Sequence, residues 1–182
     1  MPPKAETDRA RVLDAVIEII DESGWDAVSA RAVASRLRVS TQPIYRIFGD
    51  MDGLRKAAAE RGFEIFGEYV RGEALDQAAR YVTFAVERGK LFCFLFRTGG
   101  CEYDGLDDMA HKLVDGTDII DRLQSITGLP RERVYRLHLC VWMTLHGLAA
   151  VAADNKTGFT EDEIKALAKE LTGALSAYYE KL

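Results

Sequence analysis

A short stretch near the N-terminal end, residues 31–48, carries the side chains needed to bind a polyanion. It holds four arginines and no acidic residue, namely Arg31, Arg36, Arg38 and Arg46. The whole chain of 182 residues has a formal net charge of -5, which repels nucleic acid. Screening limits that repulsion to about 8 Å at physiological salt, so a local basic window can still bind phosphate. A solvated basic face is the alternative explanation for the same charges.

Polar residues inside this stretch suit the reading of DNA bases. Gln42 can hydrogen-bond N6 and N7 of adenine, and Thr41 can bond a base or a phosphate. Pro43 can contact the methyl group of thymine, while Tyr45 and Arg46 can bind the flanking phosphates. These residue types predict a site for double-stranded DNA, provided that one turn of helix presents them together.

Helical periodicity predicts the elements on either side of this stretch. Apolar residues over 8–23 recur at spacings of three and four, which indicates a helix, and Gly24 can end it in a left-handed conformation. Another helix is predicted from Met51 to about Val70, with acidic residues near its positive end.

Two short helices are predicted between these longer ones. Ser29 is an N-cap for a helix over 30–38, and Ser40 is an N-cap for a helix over 41–48. Ala34 is small where the two helices must approach closely. Two short helices joined by a tight turn, the second opening with polar residues, are typical of a helix-turn-helix that enters the major groove.

The residues from Trp25 to Phe48 resemble the DNA-binding domain of the TetR family of bacterial transcriptional regulators. The positions that fall in register are Gly24, Trp25, Ser29, Ala34, Val39, Ser40, Ile44, Tyr45 and Phe48. The resemblance covers about residues 8–62 and implies a three-helix DNA-binding domain. The residues expected to contact DNA are Ser29, Arg31, Arg38, Ser40, Thr41, Gln42, Pro43, Tyr45 and Arg46.

Two positions depart from the pattern of that family. Arg38 stands where the family usually has glycine in the turn, so a residue with a side chain is expected at positive φ. Met51 stands where the family often has a lysine that contacts phosphate. These departures support an alternative, a helical binding protein that keeps a vestigial helix-turn-helix.

The remaining chain, residues 73–182, is predicted to be a helical domain for ligand binding and dimerisation, which gives an all-α fold. The predicted helices cover residues 75–86, 91–96, 106–126, 131–153 and 160–181. Gly128 is expected to end the third of these. Thr160 and Glu163 are expected to form a capping box.

The last two helices, 131–153 and 160–181, are apolar on more than one face, which predicts packing against a twofold mate. The family resemblance implies the same homodimer. Two recognition helices related by a twofold axis would read a palindromic operator with half-sites about 34–36 Å apart. The resemblance also implies a repressor that a small molecule releases from DNA.

The segment Trp142-Met-Thr-Leu-His146-Gly147 resembles the C-terminal domain of a TetR subfamily named for its Trp, His and Gly. Trp142 and His146 are one helical turn apart and can line a pocket for a largely apolar effector. A core tryptophan and histidine, with Gly147 permitting close helix contact, are the alternative. The candidate ligand-binding residues are Phe92, Phe96, Cys101, Trp142, Met143 and His146.

Other kinds of function find little support. Cys93, Cys101 and Cys140 lack the spacing of a metal site, and no metal or other cofactor is predicted. Cys101, in a predicted loop, could make the chain a redox-responsive regulator, although nearby acids would raise its thiol pKa. No nucleophile elbow, P-loop or dinucleotide fingerprint predicts an enzyme. We expect a cytoplasmic protein without a signal peptide or membrane span, because the apolar stretch 137–153 is short and interrupted.

Overall fold

The computed structural model describes residues 9–96, 103–114, 117–154 and 158–181. Every regular element in this described part of the chain is helical, which confirms the prediction of an all-α fold. In chain order the helices are α1 (Arg9–Ser23), α2 (Ala30–Leu37), α3 (Gln42–Phe48), α4 (Met51–Tyr69), α5 (Ala74–Glu87), α6 (Gly89–Phe96), α7 (Leu106–Lys112), α8 (Ile119–Thr127), α9 (Arg131–Asp154) and α10 (Glu161–Tyr179). A short 3-10 turn, Trp25–Ala27, lies between α1 and α2.

The chain divides into two compact units, each made of two segments. The first unit is Met1–Glu68 with Arg88–Gly100, and the second is Tyr69–Glu87 with Cys101–Leu182. The sequence predicts one boundary, between 8–62 and 73–182. In the structure α6 lies with the first unit, although it follows α5 of the second unit in the chain. Side-chain packing between residues far apart in the chain places α6 in the first unit. The spacing of apolar residues does not predict such packing.

The core of the first unit forms around α1. Val12, Val16 and Ile20 have no exposed surface, because their spacing of four residues places them on one helical face. Trp25 stacks on Phe94 of α6, with ring centroids 5.0 Å apart. This aromatic contact joins the turn after α1 to the sixth helix.

Polar contacts attach α6 to the end of α1. Arg88 Nε donates a hydrogen bond to Asp21 Oδ1 at 3.2 Å, and a second guanidinium nitrogen pairs with the other carboxylate oxygen. Lys90 Nζ donates to the carbonyl oxygen of Glu22. A cation beside the last carbonyl groups of a helix is favourable, since that end of the helix is partially negative.

α4 approaches α6 closely at Gly62, so Gly62→Val is expected to lower the stability of the first unit. A Cβ at this buried position would lie 2.7 Å from Leu95 Cδ2 and 3.4 Å from Leu91 Cδ1. Forcing a branched side chain into such a contact costs about 1–3 kcal/mol. Gly67→Val is the matched control, because Gly67 lies in the same helix and no other part of the described chain lies within 4 Å of its Cβ position. Urea unfolding of both variants measures the difference, and equal stabilities would contradict the prediction.

The core of the second unit forms around α9, which packs against α5, α7, α8 and α10. Its buried cluster consists of Val114, Ile120, Leu123, Leu129, Val134 and Leu137. The predicted capping box of α10 is confirmed, because Thr160 Oγ1 accepts from Glu163 N and Glu163 Oε2 accepts from Thr160 N at 2.9 Å. Gly128 ends α8 at φ 69°, as the sequence predicts.

One expectation for this unit is wrong. The single helix predicted over 106–126 is divided into α7 and α8. Thr117 donates both its N–H and its hydroxyl to the carbonyl of Val114, so its N–H bonds to the residue three positions back and not to the residue four positions back, as in an α-helix. Within the protomer, no other part of the described chain lies within 4 Å of a Cβ at Gly147, so a close helix contact at this residue stays a prediction.

By length and composition α9 is long and apolar enough to cross a membrane, which the sequence analysis did not expect. Six of its residues are nevertheless buried inside the second unit, namely Val134, Leu137, Leu139, Leu145, Ala149 and Ala152. The core helix of a soluble protein passes the same test, so this single helix is weak evidence for a membrane span.

Candidate nucleic-acid interface

Helices α2 and α3 form the predicted helix-turn-helix. Ser29 caps α2, because its side-chain oxygen accepts a hydrogen bond from Ala32 N at 3.1 Å. Ala34 is buried between the helices, and its carbonyl accepts from Val39 N at 3.0 Å. Ile44 of α3 is 1% exposed and fills the space behind the turn. The structure therefore has Ala34, the turn and the buried Ile44 at the places that the sequence predicts.

The cap of α3 differs from the prediction. Thr41, and not Ser40, is the N-cap, and α3 begins at Gln42. The Thr41 carbonyl accepts from Ile44 N at 3.1 Å, while its hydroxyl makes no capping hydrogen bond. The Thr41 hydroxyl therefore has no capping role that would compete with a bond to DNA. Ser40 is exposed on the turn before it.

The two faces of α3 differ sharply in exposure. Ile44 and Phe48 are buried, whereas Gln42, Tyr45 and Arg46 are exposed, and Tyr45 is 48% exposed. The exposed residues are three and four positions apart, so they share one face of the helix. A helix with this outward face can enter a major groove about 12 Å wide without disturbing its own packing.

The positive charge of this surface is smaller than the sequence suggests. Arg36 is an ion-pair partner of α1, with its Nη1 at 2.8 Å from Glu22 Oε1 and 3.3 Å from Glu18 Oε2. The hydrogen bond to Glu22 raises the pKa of Arg36 above its ordinary value. The other arginines of the basic window form no ion pair within the described residues, and all are exposed: Arg31, Arg38 and Arg46.

The turn between the two helices contains one unusual backbone conformation. Arg38 adopts φ 55° and ψ 44°, and it is the one non-glycine residue with positive φ in the described chain. Its N–H bonds to the carbonyls of Ala34 and Ser35, which closes the C-terminal end of α2. A left-handed conformation costs a residue with a side chain about 1–2 kcal/mol relative to glycine.

The joint between α3 and α4 fixes the recognition helix from its other end. Gly49 ends α3 at φ 81°, and Asp50 Oδ1 accepts from Gly53 N at 2.7 Å. The Phe48 carbonyl oxygen would lie 2.1 Å from a Cβ at position 53, so a side chain there requires the joint to shift. Gly53 was not predicted from the sequence, because its close approach to residue 48 exists only in the folded turn between α3 and α4.

The candidate ligand-binding residues are distributed over both units, and Cys101 lies outside the described residues. In the first unit Phe92 is fully buried and its ring centroid is 4.9 Å from that of Phe96. In the second unit Trp142 stacks on His146 at 4.8 Å between ring centroids, and Met143 is 50% exposed.

A buried tyrosine completes the cluster of Trp142 and His146. The Tyr81 hydroxyl lies 2.8 Å from His146 Nδ1, which is hydrogen-bonding distance. Burial lowers the pKa of His146 and raises the pKa of Tyr81, so both side chains are neutral near pH 7. The sequence predicts the pair of Trp142 and His146, whereas the contact that Tyr81 makes from α5 was not predicted.

A separate cavity of about 400 Å³ lies between α7 and α9. It is lined by Asp107, Ala110, His111, Glu132, Tyr135 and Arg136. None of the candidate ligand-binding residues lines it. The described residues contain no group of three or more His, Cys, Asp or Glu side chains placed to hold a metal ion.

Together these features define a helical protein with an N-terminal helix-turn-helix domain that exposes a polar recognition face. Residues 12–58 match the family described as "Bacterial regulatory proteins, tetR family", so this DNA-binding domain is of the TetR type. Two similar proteins, each described as "HTH-type transcriptional regulator BetI", come from Burkholderia thailandensis and Burkholderia cenocepacia. Each is 40% identical over 52 residues, 29% of this chain and 27% of the relative's length.

The similarity therefore spans about a quarter of the relatives' own length. Both relatives are described as transcriptional regulators of the HTH type. The resemblance of residues 142–147 to the Trp-His-Gly type of C-terminal domain lies outside the matched family region and stays a prediction.

Proposed function

We propose that this chain is a cytoplasmic transcription regulator that binds a palindromic operator as a homodimer and represses transcription until a small molecule releases it. The observation that carries the proposal is the outward face of α3, where Gln42, Tyr45 and Arg46 are exposed while Ile44 and Phe48 hold the helix to its support. The match of residues 12–58 to a family of regulators supports the same function.

The exposed residues divide by the part of DNA that each can contact. Gln42 and Thr41, at the start of α3, suit the base edges, and Pro43 beside them suits a thymine methyl group. Tyr45 and Arg46 lie one turn further along and suit the backbone phosphates. Ser29, at the start of α2, can donate its hydroxyl proton to DNA while its side-chain oxygen accepts the capping hydrogen bond.

This division makes two substitutions on one helix behave differently. Arg46→Ala should weaken binding about equally on all DNA sequences and lower the dependence of affinity on salt. Gln42→Ala should change the preferred base at one position of each half-site, at a cost of about 1–3 kcal/mol on the wild-type operator. Selection from a random-sequence DNA library, followed by affinity measurements at several salt concentrations, checks both.

Each variant is the control for the other. The proposal of sequence-specific binding is contradicted if selection with the wild-type chain enriches no palindrome. Binding that is independent of salt would instead favour the helical binding protein with a vestigial helix-turn-helix, since phosphate contacts must release counterions.

Exposed faces of α9 and α10 support the dimer. On α9, Cys140, Thr144, Gly147 and Val151 are exposed at spacings of three and four, which places them along one stripe. The exposed small or aromatic residues of α10 include Ala166, Gly173, Ala174, Ala177 and Tyr178. Small residues on two adjacent helices let a twofold mate approach closely and form a four-helix interface.

Release by a small molecule is the remaining part of the proposal. The aromatic cluster of Tyr81, Trp142 and His146 offers an apolar wall and a neutral hydrogen-bonding pair, which suit a largely apolar effector. An effector that favours a conformation with weaker DNA binding needs a coupling free energy of only about 1–3 kcal/mol. A thermal-shift screen of small apolar compounds on the wild-type chain and on His146→Leu tests this, because a ligand of this cluster should stabilise only the wild type.

A further inference from the structure

The cations available to DNA on the helix-turn-helix surface are few. Arg36 is held by Glu18 and Glu22, and at the start of α4 Met51 offers no charge between Asp50 and Asp52. Arg31, Arg38 and Arg46 are the exposed arginines of the window that form no ion pair within the described residues. Each of them is thus a large part of the local positive charge.

We propose that Arg38 is a phosphate-binding residue of the DNA interface and that its charge is the reason for a side chain at a backbone position suited to glycine. The inference rests on the proposed DNA-binding function and deepens it. Arg38 lies three residues before Thr41, at the turn that leads into the recognition helix. A guanidinium there has five donors and matches the geometry of a phosphate.

The backbone conformation is the main argument for this role. At φ 55° glycine would fit without strain, and the two hydrogen bonds that close α2 come from the backbone N–H of residue 38, which glycine also has. The Arg38 side chain therefore adds no stability through the hydrogen bonds that close α2. A strained residue persists where another requirement maintains it, and the charged, exposed side chain points to binding.

A favourable interaction of Arg38 with the partially negative end of α2 is the structural alternative. The two explanations predict opposite changes in stability when Arg38 is replaced by glycine. If the charge of Arg38 stabilises the C-terminal end of α2, the glycine variant melts at a lower temperature than the wild type. If the charge of Arg38 acts only in DNA binding, relief of the backbone strain raises the Tm of the glycine variant by about 2–4 °C.

The experiment uses the full chain and a random-sequence duplex of about 30 base pairs, roughly three helical turns. Affinity is measured between about 50 and 200 mM salt for wild type, Arg38→Gly, Arg38→Lys and Arg46→Ala. Lys181→Ala is the matched control, because it removes the same unit of charge from an exposed residue of the other unit. Thermal unfolding of every variant is recorded without DNA.

Arg38→Gly should raise Tm, weaken binding about tenfold at 0.1 M salt, and reduce the slope of log affinity against log salt by about 0.9 per protomer. Arg38→Lys should keep most of the affinity and the slope, and Lys181→Ala should keep both. The role of Arg38 is overturned if Arg38→Gly binds with the wild-type slope, or if Lys181→Ala loses as much.

The outcome for Arg46→Ala separates this inference from the proposed function. If Arg46→Ala weakens binding and Arg38→Gly does not, only the role of Arg38 fails. A wild-type chain that binds neither this duplex nor any palindrome selected from the library overturns the proposed function and the role of Arg38 together.

Discussion

Replacing Gly147 with arginine is expected to give a folded monomer that binds a palindromic operator about 10²–10⁴-fold more weakly than the wild-type chain. Gly147 is exposed on α9, and no atom of the described chain lies within 4 Å of its Cβ position, so the protomer can hold the longer side chain. Glycine is also a poor helix former, which makes the change favourable within one protomer. In the proposed four-helix interface the same side chain places a charge between closely packed helices.

The loss of affinity follows from the loss of the second half-site. Two linked recognition helices bind a palindrome more tightly than one by a factor of about 10²–10⁴, since the second contact is intramolecular. Light scattering gives the mass in solution, and titration of full and half operators gives the affinity. Half-site affinity should be unchanged.

Gly158→Arg is the matched control for this experiment. Gly158 lies outside α9 and α10, and it too has no atom within 4 Å of its Cβ position. It should keep the mass and affinity of the wild type. A dimeric mass for Gly147→Arg would show that copies of the chain associate through another surface.

His138→Leu is expected to stabilise the second unit and to remove part of its sensitivity to acid. The Nδ1 atom of His138 is buried and has no hydrogen-bond partner among the described residues, and burial lowers the pKa of this side chain to about 4. A buried polar atom without a partner costs about 1–3 kcal/mol even when it is uncharged. A leucine of similar size on α9 leaves no such atom.

The direction of the pH dependence follows from the lowered pKa. The ordinary value is 6.5, so the unfolded chain binds a proton more readily than the folded chain between pH 6.5 and 4. The contribution of neutral His138 to stability is complete above pH 6.5 and is lost as the pH falls towards 4, by up to about 3 kcal/mol. Burial lowers the pKa of His146 in the same direction, so wild type and variant must be compared at each pH.

Urea unfolding at several pH values measures this difference. The stability advantage of His138→Leu over wild type should grow as the pH falls from 6.5 to 4. His111→Leu is the control, because it makes the same substitution at an exposed residue of α7. An advantage that stays constant over this range would show that His138 does not titrate as described.

Local sequence signals predicted where several helices begin and end and which of their faces are buried. Apolar residues three and four apart defined α1, and Gly128 ended α8, because spacing and backbone freedom act over a few residues. The capping box of Thr160 and Glu163 is equally local. The exposure of Gln42 followed from the burial of Ile44, two residues away on the same short helix.

The features that sequence reasoning missed depend on residues far apart in the chain. The neutralisation of Arg36 comes from Glu18 and Glu22, which lie on another helix. Similarly, α6 joined α1 through side-chain packing across more than 60 residues. A spacing pattern identifies the inward face of a helix, but it does not identify the helix that this face will contact.

The division of the chain also decides which fragments can be studied in isolation. The segment Arg88–Gly100 belongs to the first unit, whereas the residues just before it belong to the second. A fragment cut after α4 would lack the aromatic partner of Trp25 and would leave the Gly62 side of α4 uncovered. Such a piece would expose apolar surface to water and tend to aggregate. The unit that contains the helix-turn-helix is therefore discontinuous in sequence. A fragment designed to keep this unit folded and soluble must include α6.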